Sequence, residues 1–299
     1  GLAATLTDVV RPSTAQQPAY TSAAMALGGA ALVGYLGLLI PGASTPLPGA
    51  EDAPSLAVPA PAASPDSNVV AEYLRTLTPA VQRKVAEGLE AYRTETRPTL
   101  PPLTARPFTG RANAPVRMTD FSDMRCPHCA RLAETMVTLV EQLPAEQYRL
   151  ESRYFPLDAE CNPRLDPRFT DGSHVRCTAA KALVCSQADA NYEAVRMRLF
   201  KEQRNLTLDL VRSAVVEMTA MSVEDLDACL SSPETAAKLA EDIAYAGQFD
   251  IRGTPMVVMN GRKVLAFGPL LMALVLAEGD PSHPGFGMLA ELAQSSEPR

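Results

Sequence analysis

Cys126-Pro127-His128-Cys129 is the stretch on which the reading of this chain turns. Two cysteines separated by two residues at a helix start can cycle between dithiol and disulfide, which points to thiol redox chemistry. The preceding segment, Val116-Arg117-Met118-Thr119-Asp120-Phe121-Ser122-Asp123, has the pattern of a strand running into a loop. Residues 130–143 are expected to form the helix that follows. Cys126 would then sit where unpaired backbone N–H groups and the helix dipole favour a thiolate. Pro127 suits the first helical position, where no N–H is needed.

Outward from the motif, residues 148–155 alternate Tyr148, Leu150, Ser152 and Tyr154 against Arg149, Glu151 and Arg153, which predicts a second strand. From residue 175 to 248 the pattern is helical, with Leu183, Val184, Val195, Leu199, Leu210, Val215, Leu226, Leu239 and Ile243 as core candidates. Ser232-Pro233 marks a helix start inside it. Residues 256–259 and 263–267 flank Asn260-Gly261, the strongest hairpin signal in the chain. A last helix is expected over 270–277 and a loose tail over 280–299. Before the motif, residues 68–77 and 78–93 read as helices. Thr78-Pro79 make an N-cap and N1 pair for the second, and Val81, Val85, Leu89 and Tyr92 form its apolar stripe. A Pro-rich approach, 98–107, leads to the first strand.

The 299 residues carry a net charge of -7, which gives no electrostatic case for nucleic acid. Hydrophobic residues make up 46% and charged residues 20%, ordinary for a globular protein, but the 26 prolines crowd before residue 110. Residues 23–40 are apolar without a charge, close to the length that spans a bilayer. A transmembrane helix is therefore expected within residues 1–41, with a cleavable signal peptide as the alternative; no Lys/Arg-rich leader precedes the stretch. Arg11 on one side and Glu51 and Asp52 on the other place the N-terminal side in the cytoplasm and the rest outside. Residues 42–66 form a Pro/Ala-rich linker, 67–98 a helical lead-in, and 99–279 the catalytic domain with a helical insert over about 174–248. Gly1 is no initiator and the first methionine is Met25, so the chain is expected to begin within a longer protein or after processing.

The motif has other readings. Half of a zinc site would need a second Cys/His pair of suitable spacing, and none occurs. Haem attachment would need a histidine where Ala130 stands. His174 and His283 lie in polar, Gly/Pro-containing stretches and are expected at the surface. Four further cysteines, Cys161, Cys177, Cys185 and Cys229, fit disulfides in an oxidising compartment. Cys177 and Cys185 are too far apart on one helix to bond, about 12 Å along its axis. Two pairings remain. Cys161 with Cys177 and Cys185 with Cys229 is preferred, the first closing a loop that holds Pro163, Pro167 and Gly172, the second stapling two insert helices. No cofactor or metal is expected in the chain.

Strand, CxxC helix, strand, helical insert, then Gly253-Thr254-Pro255 opening a hairpin and a final helix: this order resembles the thioredoxin superfamily and its DsbA-like branch, over about residues 100–278. The resemblance implies an α/β thioredoxin fold with a helical insertion, and a cis bond before Pro255 opposite the CxxC helix. It also implies that Thr254 presents its backbone to an extended substrate beside Cys126. Cys126 is then the attacking thiolate, Cys129 the resolving thiol, and His128 a stabiliser of the Cys126 thiolate that makes the disulfide more oxidising. Proteins that fuse a vitamin K epoxide reductase-like membrane module to an external thioredoxin-like domain share this layout, and Phe155-Pro156-Leu157-Asp158 through Cys161-Asn162-Pro163 to Cys177 is similar to their appended domains. The resulting expectation is a membrane-tethered, extracytoplasmic (periplasmic or cell-surface) oxidoreductase that oxidises cysteines of substrate proteins and is recharged by a membrane redox partner. An isomerase or reductase using the same residues, and a membrane-anchored chaperone with a structural CxxC, are the alternatives.

Overall fold

The central strand, β2 (Val116–Ser122), is hydrogen-bonded on both edges, and the rest of the fold is arranged around it. In this computed structural model the described residues are 67–100 and 103–289. The expected membrane span and Pro-rich linker lie outside them. The described residues all belong to the second of two units, Pro59–Arg299. No helix among them is long and apolar enough to cross a membrane.

Two helices lead in, α1 (Ser67–Thr76) and α2 (Pro79–Thr94). Thr78 is the N-cap of α2 and Pro79 its first residue, but the Thr78 hydroxyl makes no capping bond. Next comes β1 (Thr109–Gly110), a two-residue edge strand with no periodicity to announce it. After β2, α3 (Pro127–Gln142) crosses over to β3 (Tyr148–Tyr154), which runs parallel to β2 as such a crossover requires. The insert is five helices: α4 (Val175–Ser186), α5 (Tyr192–Lys201), α6 (Leu208–Met218), α7 (Val223–Ser231) and α8 (Pro233–Gln248). The chain closes with β4 (Met256–Met259), β5 (Arg262–Val264) and α9 (Gly268–Leu276). Strand order is β1-β3-β2-β4-β5, with every pair but β2/β3 antiparallel. Asn260 and Gly261 both take positive φ, 48° and 76°, as the tight turn between β4 and β5 demands.

Successive strand residues face opposite ways, so each face of the sheet has its own core. Val116, Met118, Val257 and Met259 pack against α1, α2, α9 and one side of α3. Phe121 and Val258 pack with the insert helices, whose Leu183, Val195, Leu199, Leu226, Leu239 and Ile243 are buried as the sequence pattern implies. Helix α9 is apolar on all sides and buries Leu270 through Val275 in an unbroken run. The lead-in helices are part of this body; the Tyr92 hydroxyl of α2 donates to the Met259 carbonyl at 3.1 Å.

Some expectations are corrected. The strand after the hairpin stops at Val264, and Leu265 is exposed, because Gly268-Pro269 already open the next helix with Phe267 as N-cap. The chain after Gly279 is not loose throughout. Pro284–Phe286 form a 3-10 turn, and Phe286 and Leu289 complete the apolar cluster that holds Val70 and Leu74 of α1. This also overturns the surface placement of His283, which is buried and accepts from the Gly285 N–H at 3.1 Å. Residues 290–299 fall outside the described residues.

The alternation in β3 conceals a buried cation. Arg153 is 1% exposed, and Asp242 of α8 takes its guanidinium at 2.9 Å together with that of Arg106 at 3.0 Å. The second Asp242 oxygen accepts the Tyr154 N–H at 3.2 Å. One carboxylate thus joins the Pro-rich approach, β3 and the insert. Its pKa is raised by burial, against the pull of Arg106 and Arg153. Asp242→Ala would leave the buried Arg153 and Arg106 guanidiniums with only the more exposed Glu151 and Glu241, at 3.3 and 3.6 Å, and urea denaturation should show a loss of about 3 kcal/mol.

Candidate active site

β2 ends at Ser122, and four residues later the chain enters α3 with Cys126 as N-cap and Pro127 at the first helical position. The Cys126 sulfur accepts the Cys129 N–H at 3.4 Å, so the thiol occupies the place of a capping side chain. The neighbouring β4 is paired to β2 through Phe121 and Met256, which brings the residues just before Met256 up to the motif. The Thr254-Pro255 peptide is cis, and the Thr254 carbonyl lies 3.4 Å from the Cys126 sulfur. Cys126, Pro127, His128, Cys129, Thr254 and Pro255 are therefore one site, assembled from positions more than 120 residues apart in sequence.

The two sulfurs are unlike. Both are free thiols, Cys126 6% exposed and Cys129 1%, so an incoming group meets Cys126 first. The Cys126 thiol is pulled down from 9.0 to about 5. The largest cause is the hydrogen bond from the Cys129 thiol; burial opposes it, and the Cys129 N–H, Thr254 and the His128 N–H add to it. Cys129 is pushed well up, because its proton is held against Cys126 and because it is buried. One proton shared between two sulfurs is thus retained by the inner one.

The His128 ring has a partner of its own. Its imidazole Nδ1 lies 2.6 Å from the Arg131 guanidinium, which can only donate, so Nδ1 is the acceptor. The His128 N–H is one of the groups that lower the Cys126 value. The ring forms, with Arg131, Leu132, Thr135, Pro255 and Ala266, a hollow of about 210 Å³ beside the dithiol.

Sequence reasoning passed over Asp123, quoted above only as the end of a strand-to-loop stretch. It is 2% exposed, and its carboxylate accepts the N–H of Arg125 and of Leu157, both at 2.8 Å. The same carboxylate takes the Arg176 guanidinium of α4, and the Asp123 carbonyl accepts the Cys126 N–H at 3.1 Å. Asp123 therefore binds the CxxC loop to the segment after β3 and to the insert. A local signal existed, an Asp two residues before a loop N–H, but Arg176 and Leu157 have no sequence mark that connects them to it.

Cys161 is bonded to Cys177 and Cys185 to Cys229, with Cα separations of 5.9 and 6.0 Å. The first bridge anchors the 155–174 segment to α4 next to Arg176, and Arg125 reaches into the same segment to Asp171 at 2.8 Å. The second fastens α4 to α7, away from the motif. Asp158, Glu160 and Cys177 bring ligand-type atoms close together, but the Cys177 sulfur is spent in its disulfide and Glu160 faces His174, at 2.5 Å. That group does not fit a metal centre.

Fold and site define a dithiol redox protein whose CxxC helix faces a cis-proline strand. The chain matches the family model described as Thioredoxin over residues 104–268, more than half its length, and it belongs to that family. It is 25% identical over 155 residues to Na(+)/H(+) antiporter NhaA 1 of Mycolicibacterium gilvum, a match covering 52% of this chain and 23% of that protein. The chain thus spans under a quarter of the length of that relative. It is 22% identical over 157 residues to the probable disulfide bond formation protein D of Bacillus cereus, covering 51% of this chain and 68% of that protein. Among solved structures it is similar to BdbD of Bacillus subtilis at 15% identity and a TM-score of 0.47, covering 66% of this chain and 97% of that one.

The low Cys126 value has a measurable consequence. In the reduced protein, the iodoacetamide alkylation rate should rise with a midpoint near pH 5 and be flat above it. Because the folded value lies below the ordinary 9.0, the thiolate stabilises the reduced fold fully above pH 9.0, and that gain is lost as pH falls toward about 5. Denaturation of reduced and oxidised protein should therefore show the reduced form losing ground as pH is lowered through this window.

Proposed function

We propose that this chain is the external, catalytic part of a membrane-tethered system that oxidises cysteine pairs in substrate proteins. The observation that carries the reading is the unequal pair: a Cys126 thiolate held down to about 5 above a buried, protonated Cys129. A stabilised thiolate favours the reduced form, and an enzyme that prefers to be reduced is an oxidant.

The exchange runs in two steps. A substrate thiolate attacks the Cys126 sulfur of the Cys126/Cys129 disulfide, forming a mixed disulfide and releasing Cys129, which takes up a proton at once because its pKa is high. The second substrate thiolate attacks the substrate sulfur of the mixed disulfide and displaces Cys126, a good leaving group at neutral pH. Two electrons pass from the substrate to the enzyme, and the substrate leaves with a disulfide. Thr254 would hold an extended substrate segment beside Cys126 through its backbone, and Pro255 keeps a backbone donor away from the sulfurs.

Location and partners rest on the sequence and on the other cysteines. Two disulfides outside the motif suit an oxidising compartment, and the apolar residues 23–40 supply an anchor. Recharging is assigned to a membrane redox partner, of which a vitamin K epoxide reductase-like module is the candidate.

The Cys126/Cys129 potential decides the direction of exchange. A value near about -120 mV, as in DsbA, is expected, and one near about -270 mV, as in thioredoxin, would sink the oxidase reading. With one proton taken up per two electrons, the potential should fall about 30 mV per pH unit between the two thiol values. Cys129→Ser should accumulate mixed disulfides with substrate proteins through Cys126; their clean absence would favour a binding module.

A further inference from the structure

The hollow beside the dithiol holds about 210 Å³, less than the sites that take whole small molecules and enough for one side chain. Pro255 forms one wall, and it follows directly on the Thr254 carbonyl that lies 3.4 Å from the Cys126 sulfur. Leu132, Thr135 and Ala266 add to the lining, and the Thr135 hydroxyl already donates to the Arg131 carbonyl at 2.9 Å. The polar side chains left are those of His128 and Arg131. No carboxylate is among the residues that line the hollow.

Arg131 differs from the other arginines near the motif. Arg125 holds Asp171 at 2.8 Å, Arg176 holds Asp123, and Arg252 holds Asp250 at 3.0 Å. The Arg131 guanidinium has the His128 ring and, among the described residues, no carboxylate. Because Nδ1 of that ring accepts from Arg131, the proton of the neutral imidazole is on Nε2, and both side chains have N–H groups left to give. The charge is exposed and uncompensated, five positions after the sulfur that meets the substrate. Five positions are about 7.5 Å of helix, which an extended peptide covers in about two residues.

We propose that this hollow is a specificity subsite for an acidic side chain of the substrate, carried within two residues of the cysteine that attacks Cys126, with Arg131 as its cation. The proposal rests on the reading of the chain as an oxidant of protein thiols and adds which thiols are preferred. The chain as a whole carries a net charge of -7, so an acidic peptide gains nothing from the overall field. The preference therefore belongs to one position.

The test uses peptides with two cysteines, a Gly/Ser spacer between them and blocked ends. Each carries Glu or Gln at one offset, from two residues before to two residues after, the same for both cysteines. Their oxidation by the disulfide form of the full chain is followed by acid quench and mass spectrometry. The Glu/Gln rate ratio of the wild type is divided by that of Arg131→Gln, which cancels the effect of Glu on the peptide thiols themselves. Arg131 is exposed, so its replacement leaves the packing in place. A quotient of about threefold, the size of an exposed ion pair, is expected at one offset, with values near one at the others. A quotient near one at every offset, or the same rise at all of them, would overturn the subsite while thiol exchange stands. Reduction of the chain by dithiothreitol but by none of the peptides would overturn the exchange reading and the subsite with it.

Discussion

The site depends on the register of one strand. β2 pairs in parallel with β3 through Ser122 and Tyr154 and antiparallel with β4 through Phe121 and Met256. Held on both edges, it cannot slip without turning every buried side chain to the wrong face, since strand side chains alternate with a period of two. Its end is therefore a fixed point. From that point the CxxC loop and the Thr254-Pro255 bend, which precede α3 and β4 respectively, can only meet. The catalytic geometry follows from backbone pairing before any side chain is considered.

Side chains then lock the loop. Asp123 gathers the Arg125 and Leu157 N–H groups and the Arg176 guanidinium around one buried carboxylate. Asp242 does the same for Arg106 and Arg153 at the C-terminal end of β3. Each carboxylate is buried with its opposite charge, the condition under which burial is tolerable. Both connect the sheet to a helix of the insert. The insert is therefore fastened to the site by charge as well as by packing, and the Cys161–Cys177 bridge lies next to the Arg176 that makes one of those connections.

The contrast between the sulfurs comes first from the hydrogen bond between them, and placement adds to it. Cys126 caps a helix and receives backbone N–H groups, while Cys129, three residues on, is turned inward and keeps its proton. His128, the natural candidate from the sequence, gives its ring to Arg131 and contributes through its backbone.

Much of this was legible in the chain itself. Period-two alternation in 148–154, the Asn260-Gly261 turn, the proline after Cys126 and the spacing of the cysteines are local properties, carried by backbone preference and helix geometry, and they gave the element order and the dithiol. What remained hidden depends on groups distant in sequence. β1 is two residues long and exists only because β3 offers it an edge; Arg153 looks like a surface residue until Asp242 arrives from α8; Phe286 finds its place only against α1. Asp123 and the His128 ring turned to Arg131 belong to the same class. The sequence by itself determined which bonds could form along each segment. The tertiary structure decided which charges are buried together, because that depends on solvent exclusion and on partners that the chain brings close only when folded.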